Sequence, residues 1–409
     1  MQSDSDVEGA QMRAPSGAAS GVTSGVGEAL AADVAGESGT MSPGSSEVEA
    51  LRDVPTLADI RIDDQQMASF EEFRATFAAS AGEAAAERLT LGCVVRLDRG
   101  FPLVAHQGGV LRAEHAVAFA KRDRGCGDAL PAIGDIVAVR IDPAHDFGVI
   151  EAVMPRRTSF ARWRGKNRGE RQVLAANVDR ILVVQPLGGG RQTGSFLRDR
   201  IARALVLVHD CGAEPAVVFT KSDRASDDEI ADALRVAQAL AGSEARVLVS
   251  SATEREGLAE IRALVPPHTC AMILGESGAG KSTLLNALLG HDALTVGAVR
   301  ERDDKGRHTT VARVMCKLPG AYGVIADAPG LRSMTLLGHE AGLARAFPDI
   351  AQVAEACRFR DCTHTHEPGC AVRAAGASGE IDPIRIEAAL ALASEMRVSA
   401  QSLDPDVRL

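Results

Sequence analysis

The sequence predicts a multidomain chain: a small β-barrel comes first, an α/β domain with a parallel sheet follows, and a short helical segment ends the chain. Three observations support this order. Short β-type runs fill residues 88–155, strand-like and helix-like segments then alternate as far as residue 335, and three cysteines and two histidines fall within residues 357–370. With 409 residues, of which 45% are apolar, the chain can form two or three hydrophobic cores.

Composition excludes several classes of protein. The chain has no run of about 18 apolar residues, which a membrane-spanning helix needs, and its first residues lack the basic and apolar regions of a secretory signal. Eight unevenly spaced cysteines fit a reducing compartment better than a disulfide scaffold. Only 3% of the residues are aromatic, so a large stacking surface is not expected. We therefore expect a cytoplasmic monomer with no membrane partner.

The formal charge of −10 is concentrated at the N-terminus. Residues 1–50 carry one basic and eight acidic residues, which leaves 44 basic against 47 acidic residues in the rest of the chain. Any polyanionic partner must therefore be bound by local basic patches. Residues 1–60 are also rich in Gly, Ala and Ser without an apolar period, so they predict a disordered acidic tail. A helical stretch follows at residues 69–80.

The β-type runs of residues 88–155 are separated by glycines and turn residues at roughly the 8–12 residue spacing that small barrels show. Five such runs fit the oligonucleotide-binding (OB) fold, a five-stranded barrel whose loops bind nucleic acid in many proteins. A small β-domain without a ligand is the alternative.

A basic segment follows the barrel at residues 156–172 and contains one acid, Glu170. Its seven basic residues are Arg156, Arg157, Arg162, Arg164, Lys166, Arg168 and Arg171. The segment predicts a basic linker that contacts the phosphate backbone of a nucleic acid, although a merely solvated linker would have the same composition.

The alternating segment, residues 165–335, predicts a parallel sheet with crossover helices. Its strand candidates are the apolar runs at 178–187, 213–223, 245–252, 270–278, 311–318 and 322–330. The last segment, residues 336–409, ends in a predicted helix that Asp382 would cap, with Pro383 in its first turn.

A phosphate-binding loop is the sharpest motif of the chain. Residues 275–283 read GESGAGKST, which matches the pattern G-x-x-x-x-G-K-[ST], and they lie between an apolar strand and a predicted helix. The glycines let backbone N–H groups curl around phosphate oxygens, Lys281 reaches the β- and γ-phosphates, and the Ser282 hydroxyl can ligate Mg²⁺. The predicted nucleotide contacts are Gly275, Glu276, Ser277, Gly278, Ala279, Gly280, Lys281, Ser282 and Thr283.

Two weaker motifs lie after the phosphate loop. Asp327-Ala328-Pro329-Gly330 ends a predicted strand, where the carboxylate would meet Mg²⁺ through water and the Gly330 N–H would sense the γ-phosphate. Thr309 and Thr310, in the segment GRHTT, each offer a second hydroxyl ligand for Mg²⁺. D-x-x-G also marks ordinary turns, but in this order and spacing the motifs resemble switch II and switch I of a GTPase.

A candidate base-reading motif precedes the phosphate loop. Thr220-Lys221-Ser222-Asp223 ends one strand, and the Asp223 carboxylate could accept hydrogen bonds from guanine N1–H and the N2 amino group, which adenine cannot supply together. Ser251 and Ala252 end the next strand and could present a backbone N–H to guanine O6. A sheet tolerates such a rearrangement of motif order if the loops keep their positions in space.

This motif order resembles that of the circularly permuted GTPases, and the barrel before it and the Cys/His cluster after it are similar to the RsgA family of small-ribosomal-subunit-dependent GTPases. The resemblance covers residues 88–400. It implies GTP as substrate, Mg²⁺ as cofactor and a role in late maturation of the small (30S) ribosomal subunit, whose rRNA stimulates hydrolysis to GDP and phosphate. Thr220 departs from the family's usual Asn, which predicts weaker nucleotide binding, whereas Asp223 preserves the discrimination against adenine.

The water-orienting Gln of most GTPases is replaced by Leu331, and the resembling family also carries an apolar residue there. Intrinsic hydrolysis should therefore be slow. We predict that His308 positions the attacking water and completes the catalytic set with Lys281 and Asp327. A solvated loop histidine is the alternative for His308.

The cysteine–histidine cluster has the spacing Cys357-x4-Cys362-x-His364-x5-Cys370. Three thiolates and one imidazole match a closed tetrahedral zinc site, although the spacing differs from that of the common zinc fingers. The resemblance implies one structural zinc ion per chain at these four positions. His366 is expected to be a spare surface residue. The other cysteines are expected to be unreactive thiols of the core or turns: Cys93, Cys126, Cys211, Cys270 and Cys316.

The leading hypothesis is a regulatory GTPase that contacts ribosomal RNA through the barrel, the basic linker and the zinc segment. A metabolic P-loop kinase or ATPase acting on a small molecule is the main alternative, but it gives no reason for the T-K-x-D loop. An RNA-binding module with a vestigial nucleotide site conflicts with the intact Lys281, Ser282 and Asp327. A permuted GTPase of the large subunit is disfavoured by the Cys/His cluster.

Overall fold

The computed structural model describes residues 52–97, 101–117, 130–145, 147–164, 170–188, 195–242, 245–293, 313–327, 336 and 338–403. The tail up to residue 51 lies outside these ranges, as do Cys126 and the basic residues Lys166 and Arg168. The predicted switch residues also lie outside them: His308, Thr309, Thr310, Gly330 and Leu331.

A helix precedes the barrel and begins earlier than its sequence pattern predicted. This helix, α1 (Asp64–Ala81), starts after Asp63, whose side chain accepts a hydrogen bond of 2.8 Å from the N–H of Gln66. Gln66 is fully buried and donates to the side chain of Asn177, so the first turn is anchored to the body of the molecule. A short turn of helix, α2 (Glu83–Ala86), then leads into the barrel.

Residues 52–60, which the sequence assigned to the disordered tail, are instead packed against the central domain. The carbonyl of Asp53 accepts a hydrogen bond of 2.7 Å from the N–H of Lys317, and its carboxylate lies 2.7 Å from His291. The Lys317 ammonium in turn donates to Asp59 at 2.5 Å. These partners lie more than 200 residues away in the chain, so a local composition pattern could not reveal the ordering.

Residues 89–153 form a closed barrel, as predicted. Its strands in the described residues are β1 (Leu89–Leu97), β2 (Leu103–His106), β3 (Gly109–His115), β4 (Ile136–Ile141) and β5 (Phe147–Val153). β1 pairs with both β2 and β4, and the parallel pairing of β3 with β5 closes a ring in the order β1-β2-β3-β5-β4. Val94, Val104 and Ile150 are fully buried inside it. The prediction of an OB-fold barrel is confirmed.

The segment predicted as a basic linker contains a β-hairpin. Strand β6 (Ser159–Arg164) pairs antiparallel with β7 (Glu170–Ala176). The side chains of Arg162 and Gln172 are hydrogen-bonded across the two strands at 3.1 Å. The charged composition of this segment did not indicate the pairing, because arginines occur in strands as well as in linkers.

Two arginines that precede this hairpin in the chain bond to the barrel region and to the central domain. Arg156 makes two hydrogen bonds of 2.7 Å to Asp135, whose side chain is fully buried at the base of the barrel. Burial raises the pKa of Asp135, and the Arg156 guanidinium partly opposes that rise. Arg157 bonds Asp179 at 2.6 Å, beside the central sheet. These two cations are therefore committed to internal carboxylates rather than offered to phosphate.

The central domain is built on a sheet of strands β8 (Arg180–Pro186), β9 (Glu214–Thr220), β10 (Arg246–Val249), β11 (Cys270–Leu274), β12 (Arg313–Lys317) and β13 (Val324–Asp327). Each strand lies inside one of the predicted apolar runs. Their spatial order is β10-β9-β8-β11-β13-β12, and all are parallel to their neighbours except β12, which runs antiparallel to β13.

Helices cover both faces of this sheet: α3 (Ser195–Cys211), α4 (Asp227–Ala241), α5 (Leu258–Ala263) and α6 (Lys281–Leu289). Ile181 and Val183 of β8 pack in the same apolar cluster as α3 and α4. Leu182 and Val184 face the other way and pack with α5 and α6. The alternation along one strand thus joins two hydrophobic layers, as expected for a parallel sheet buried on both faces.

The barrel and the central sheet are joined by backbone hydrogen bonding. Arg96 and Leu97 of β1 pair antiparallel with Val314 and Arg313 of β12. β12 begins directly after residues 294–312, which carry the predicted switch I. The end of barrel strand β1 is therefore hydrogen-bonded to the strand that follows the predicted switch I.

The C-terminal segment is helical: α7 (Glu340–Ala346), α8 (Pro348–Ala354), α9 (Ala371–Ser378) and α10 (Pro383–Leu403). α10 begins as predicted, because the Asp382 side chain accepts a hydrogen bond of 2.8 Å from the N–H of Ile384. Arg385 makes hydrogen bonds of 2.7 and 2.8 Å to Asp349 and one of 2.6 Å to the Leu240 carbonyl at the end of α4. The segment is thereby attached to the central domain.

In the part of the chain that the structure describes, no helix combines the length and the apolar character needed to span a bilayer.

Candidate functional site

The three loops predicted to bind a nucleotide meet at one edge of the central sheet. Thr220 ends β9, Ser251 follows β10 and Gly275 follows β11, and these strands run parallel to their sheet neighbours. Parallel strands present their carboxyl ends at the same edge, so the permuted order along the chain does not separate the loops in space.

The phosphate loop has the backbone shape that anion binding requires. Gly280 ends the loop with φ +86°, a left-handed conformation that favours glycine, and α6 starts at the next residue. The N–H groups of the first helical turn therefore face the loop, which suits an anion. The Lys281 ammonium bonds the carbonyls of Gly275 and Glu276 at 2.9 and 2.8 Å, so its charge is held over the loop.

The T-K-x-D loop braces the phosphate loop directly. The buried hydroxyl of Thr220 donates to the Ala279 carbonyl at 2.7 Å, and the Lys221 ammonium donates to the Gly278 carbonyl at 2.8 Å. Lys221 has a left-handed backbone with φ 62°, which turns the chain out of β9. The Thr220 hydroxyl thus fixes the position of the phosphate loop relative to the end of β9.

Asp223 is oriented by the next loop of the sheet. The Ser251 hydroxyl donates to Asp223 Oδ1 at 2.7 Å, and the Ser222 N–H donates to the Ser250 carbonyl at 3.2 Å. The side chain of Asp223 is 20% exposed, so the carboxylate is held in place yet accessible at the surface. From the sequence, Ser251 was predicted to contribute only its backbone N–H. Because Ser251 follows the strand next to β9, its side chain could also have been expected to lie near Asp223.

The described oxygen donors suited to Mg²⁺ lie at the same edge. Asp327 ends β13 and pairs in register with Ile273, two residues before the phosphate loop. Ser282 lies in the first turn of α6. A hydroxyl and a carboxylate fit Mg²⁺, a hard cation that takes few protein ligands alongside phosphate oxygens and water.

The cysteine–histidine cluster is assembled as a metal site. Among the described residues, the ligand atoms of Cys357, Cys362, His364 and Cys370 all lie within 4.8 Å of one another. Cys357 Sγ is 4.0 Å from Cys370 Sγ, and both sulfurs are 3.5 Å from His364 Nδ1. Tetrahedral zinc places two sulfurs roughly 3.8 Å apart and sulfur and nitrogen roughly 3.5 Å apart, so this donor set fits the ion.

The protonation chemistry of the cluster also suits a cation. Burial opposes the charged form of Cys357, but N–H groups of Val372 and Ala371 at the start of α9 bring the pKa of its thiol below the usual value. Burial lowers the pKa of His364, which favours the neutral imidazole that ligates metals. Burial and the neighbouring thiols raise the pKa of Cys362 to about 11, a cost that a bound cation would reverse.

The described cysteines outside this cluster are buried. Burial raises the pKa of Cys211, Cys270 and Cys316 to about 12, and burial also raises the pKa of Cys93 well above its usual value. Thiols that do not ionise are poor nucleophiles and poor metal ligands. Their assignment as core residues agrees with this burial.

Sequence reasoning missed one ion pair at the phosphate loop. Arg200 of α3 lies 3.2 Å from the carboxylate of Glu276. The sequence does show an acidic residue, Glu276, within a loop that binds anions. Nothing in the neighbouring sequence indicated which basic residue would pair with the Glu276 carboxylate.

The fold and these loops together define a P-loop GTPase of the circularly permuted class. A family model described as RsgA GTPase matches residues 153–337. The chain is 43% identical over 305 residues to the small ribosomal subunit biogenesis GTPase RsgA of Streptomyces coelicolor, an alignment covering 74% of this chain and 79% of that relative. This chain therefore belongs to the RsgA family, and the resemblance seen in the sequence is confirmed.

Other relatives and solved structures agree. The RsgA protein of Opitutus terrae is 42% identical over 288 residues, covering 68% of this chain and 76% of that protein. The crystal structure of YjeQ from Thermotoga maritima shares the fold with a TM-score of 0.55 at 23% identity, covering 76% of this chain and 99% of that one. YloQ, described as a circularly permuted GTPase, gives 0.53 at 21% identity, covering 78% and 97%. The kinase or ATPase alternative is not favoured.

Replacing Asp223 by Asn is expected to lower GTP affinity by about 10³-fold or more, because the amide cannot accept both guanine N–H donors. Xanthosine triphosphate, which has a carbonyl in place of the amino group, should bind the variant better than GTP does. Competition against a fluorescent nucleotide measures both. The exposed Asp227→Asn on α4 is the matched control, and unchanged GTP affinity in Asp223→Asn would contradict the assignment.

Proposed function

We propose that this protein binds the small (30S) ribosomal subunit and assists its late maturation, hydrolysing GTP to GDP and phosphate with turnover that the subunit stimulates. The observation that carries the proposal is the position of three segments at one edge of the central sheet, to which the OB barrel is attached. The segments are residues 275–283, residues 220–223 and Asp327. The relatives at 40–43% identity are named small ribosomal subunit biogenesis GTPases. A ribosomal partner also implies a cytoplasmic protein, and we propose that it acts as a monomer.

In this proposal, Asp223 and the Ser251–Ala252 loop read guanine and residues 275–283 hold the phosphates. Oxygens of the β- and γ-phosphates would replace the carbonyls of Gly275 and Glu276 as acceptors for the Lys281 ammonium. Ser282 and Asp327, with Thr309 or Thr310, would hold Mg²⁺. The ion, when bound, offsets negative charge on the phosphates.

Hydrolysis needs a group that orients water, and Leu331 cannot do so. We assign this role to His308, with the Gly330 N–H sensing the γ-phosphate. Slow turnover of the isolated protein follows, and the subunit would raise it by stabilising the active arrangement of these loops.

A structural zinc ion at the four-residue cluster completes the proposal. Four protein ligands would leave no open coordination position, so a zinc ion held here would stabilise the C-terminal segment and would take no part in hydrolysis. Arg198 and Arg203 of α3 pair with Glu387 and Glu395 of α10, which places this segment beside the central domain.

A small aromatic surface on the barrel supports an RNA partner. Phe101, between β1 and β2, and Phe147, at the start of β5, have ring centroids 5.2 Å apart at an interplanar angle of 65°. Each is 44% exposed, which is unusual for paired phenylalanines. These positions flank the loops that OB folds use for oligonucleotides, so we propose that the pair stacks on an unpaired base.

The experiment that tests the function compares GTP and ATP hydrolysis with and without purified small subunits. Slow GTP turnover that small subunits stimulate, with little ATP turnover, is the expected result. Large subunits serve as the control for nonspecific stimulation by rRNA. Indifference to small subunits, or equal use of ATP, would overturn the proposal.

The double variant Phe101→Ser/Phe147→Ser is expected to lower small-subunit affinity by about 10–100-fold, since stacking on one base contributes roughly 1–3 kcal/mol. GTP hydrolysis without subunits should not change, because the pair lies on the barrel. Subunit affinity is measured by co-sedimentation. Val110→Ser, also exposed on the barrel, is the matched control; equal binding by both variants would remove the pair from the interface.

A further inference from the structure

The phosphate loop carries a negative charge of its own. Glu276 is its second residue, and its carboxylate is 29% exposed. A GTP phosphate chain brings several negative charges to this loop, so an uncompensated carboxylate beside it would weaken binding. Lys281, the only lysine of the loop, donates to the backbone carbonyl of Glu276 at 2.8 Å and not to its carboxylate. When GTP binds, the Lys281 ammonium would donate to phosphate oxygens instead of to this carbonyl.

Arg200 supplies the compensating charge. Its guanidinium lies 3.2 Å from the Glu276 carboxylate, and the Arg200 side chain is only 11% exposed. The guanidinium also lies 5.3 Å from the ring centre of Phe196, one turn earlier on α3. A partly desolvated pair held by a stacked arginine interacts more strongly than an exposed surface pair.

We propose that Arg200 is a positioning residue for nucleotide binding: it neutralises Glu276 and draws that carboxylate toward α3, away from the phosphates. GTP affinity then depends on Arg200 only while residue 276 is charged. This inference rests on the proposed binding of GTP at the loop and is independent of the ribosomal partner.

The net charge of residues 200 and 276 predicts the order of GTP affinity among the native protein and three variants. The native pair is neutral, Arg200→Gln leaves one negative charge, Glu276→Gln leaves one positive charge, and the double variant is neutral again. We expect Arg200→Gln to weaken GTP binding about tenfold, Glu276→Gln to bind GTP at least as tightly as the native protein, and the double variant to lie within about threefold of it. The effect should be smaller for GDP, which carries less charge.

Titration calorimetry of the full-length protein with GDP and a slowly hydrolysed GTP analogue measures these affinities. Steady-state kinetics of GTP hydrolysis separates an effect on KM from an effect on kcat. KM should rise in Arg200→Gln while kcat changes less than about twofold. Arg200→Lys should recover most of the affinity because it keeps the charge. Arg203→Gln, on the same helix but paired with Glu395 of α10, is the control and should bind GTP normally.

Three results would overturn the inference. If Arg200→Gln binds GTP like the native protein, the pair has no role in binding. If the double variant is as weak as Arg200→Gln, Arg200 contacts phosphate directly instead of acting through Glu276. If Arg200→Lys fails like Arg200→Gln while both fold, charge is not the cause. Absence of GTP binding by the native protein would instead refute the proposed function.

Discussion

Replacing Lys281 by Ala is expected to lower kcat/KM for GTP by about 10²–10³-fold or more. The ammonium is held over the phosphate loop by the Gly275 and Glu276 carbonyls, so it is already placed to meet developing charge on the phosphates. Its loss removes both binding energy and stabilisation of the transition state. Turnover in the presence of small subunits should fall as well, because it would proceed through the same hydrolysis step.

The matched control is Lys317→Ala. Lys317 lies on β12 and pairs with Asp59, away from the phosphate loop, so its removal should leave hydrolysis near the native rate. Circular dichroism and thermal unfolding show whether both variants fold. Native turnover in a folded Lys281→Ala protein would refute the placement of the active site.

Loss of the cysteine–histidine cluster is expected to unfold the C-terminal segment. Cys357→Ser removes one ligand and leaves three donors packed within 4.8 Å, a geometry that is unfavourable without a cation. Zinc binding to such sites supplies an apparent free energy of about 10–16 kcal/mol, much of which is folding free energy of the local structure. We expect the variant to lose bound zinc, to unfold at lower temperature and to become sensitive to proteolysis after residue 336.

His366→Ala provides the control for this prediction. His366 lies in the same loop, but its imidazole bonds the hydroxyl of Thr365 and is not part of the four-ligand set. Native mass spectrometry should therefore find one zinc ion in His366→Ala and none in Cys357→Ser. Full zinc occupancy in Cys357→Ser, or normal stability after chelation of the native protein, would refute a structural metal.

The two large effects concern different parts of the molecule, and α3 connects them. This helix contacts the phosphate loop through Arg200 and the C-terminal segment through Arg198 and Arg203. A Cys357→Ser protein that still hydrolyses GTP without subunits, but is no longer stimulated by them, would show that the segment serves recognition. Equal loss of both activities would show that it also supports the central domain.

Features that depend on neighbours in the chain could be predicted from the sequence. The phosphate loop, the T-K-x-D loop and the cysteine–histidine cluster each occupy a short stretch of the chain, and the residue types in each stretch suit one kind of chemistry. The barrel strands and the central strands were recognisable because apolar residues alternate or run together between turn residues. The cap of α10 by Asp382 was predictable for the same local reason.

Features that depend on residues distant in the chain were decided by the tertiary structure. Thr220 bonds Ala279, Glu276 pairs with Arg200, and Asp53 and Asp59 hold partners more than 200 residues away. A charged residue looks the same in a sequence whether its partner in the structure is water, phosphate or a buried carboxylate. The sequence therefore could not show that Arg156 and Arg157 form ion pairs with carboxylates inside the molecule. Sequence thus determined which chemistry the chain carries, and the packing of strands at one sheet edge decided which groups meet, because charge compensation and hydrogen bonding act through space and not along the chain.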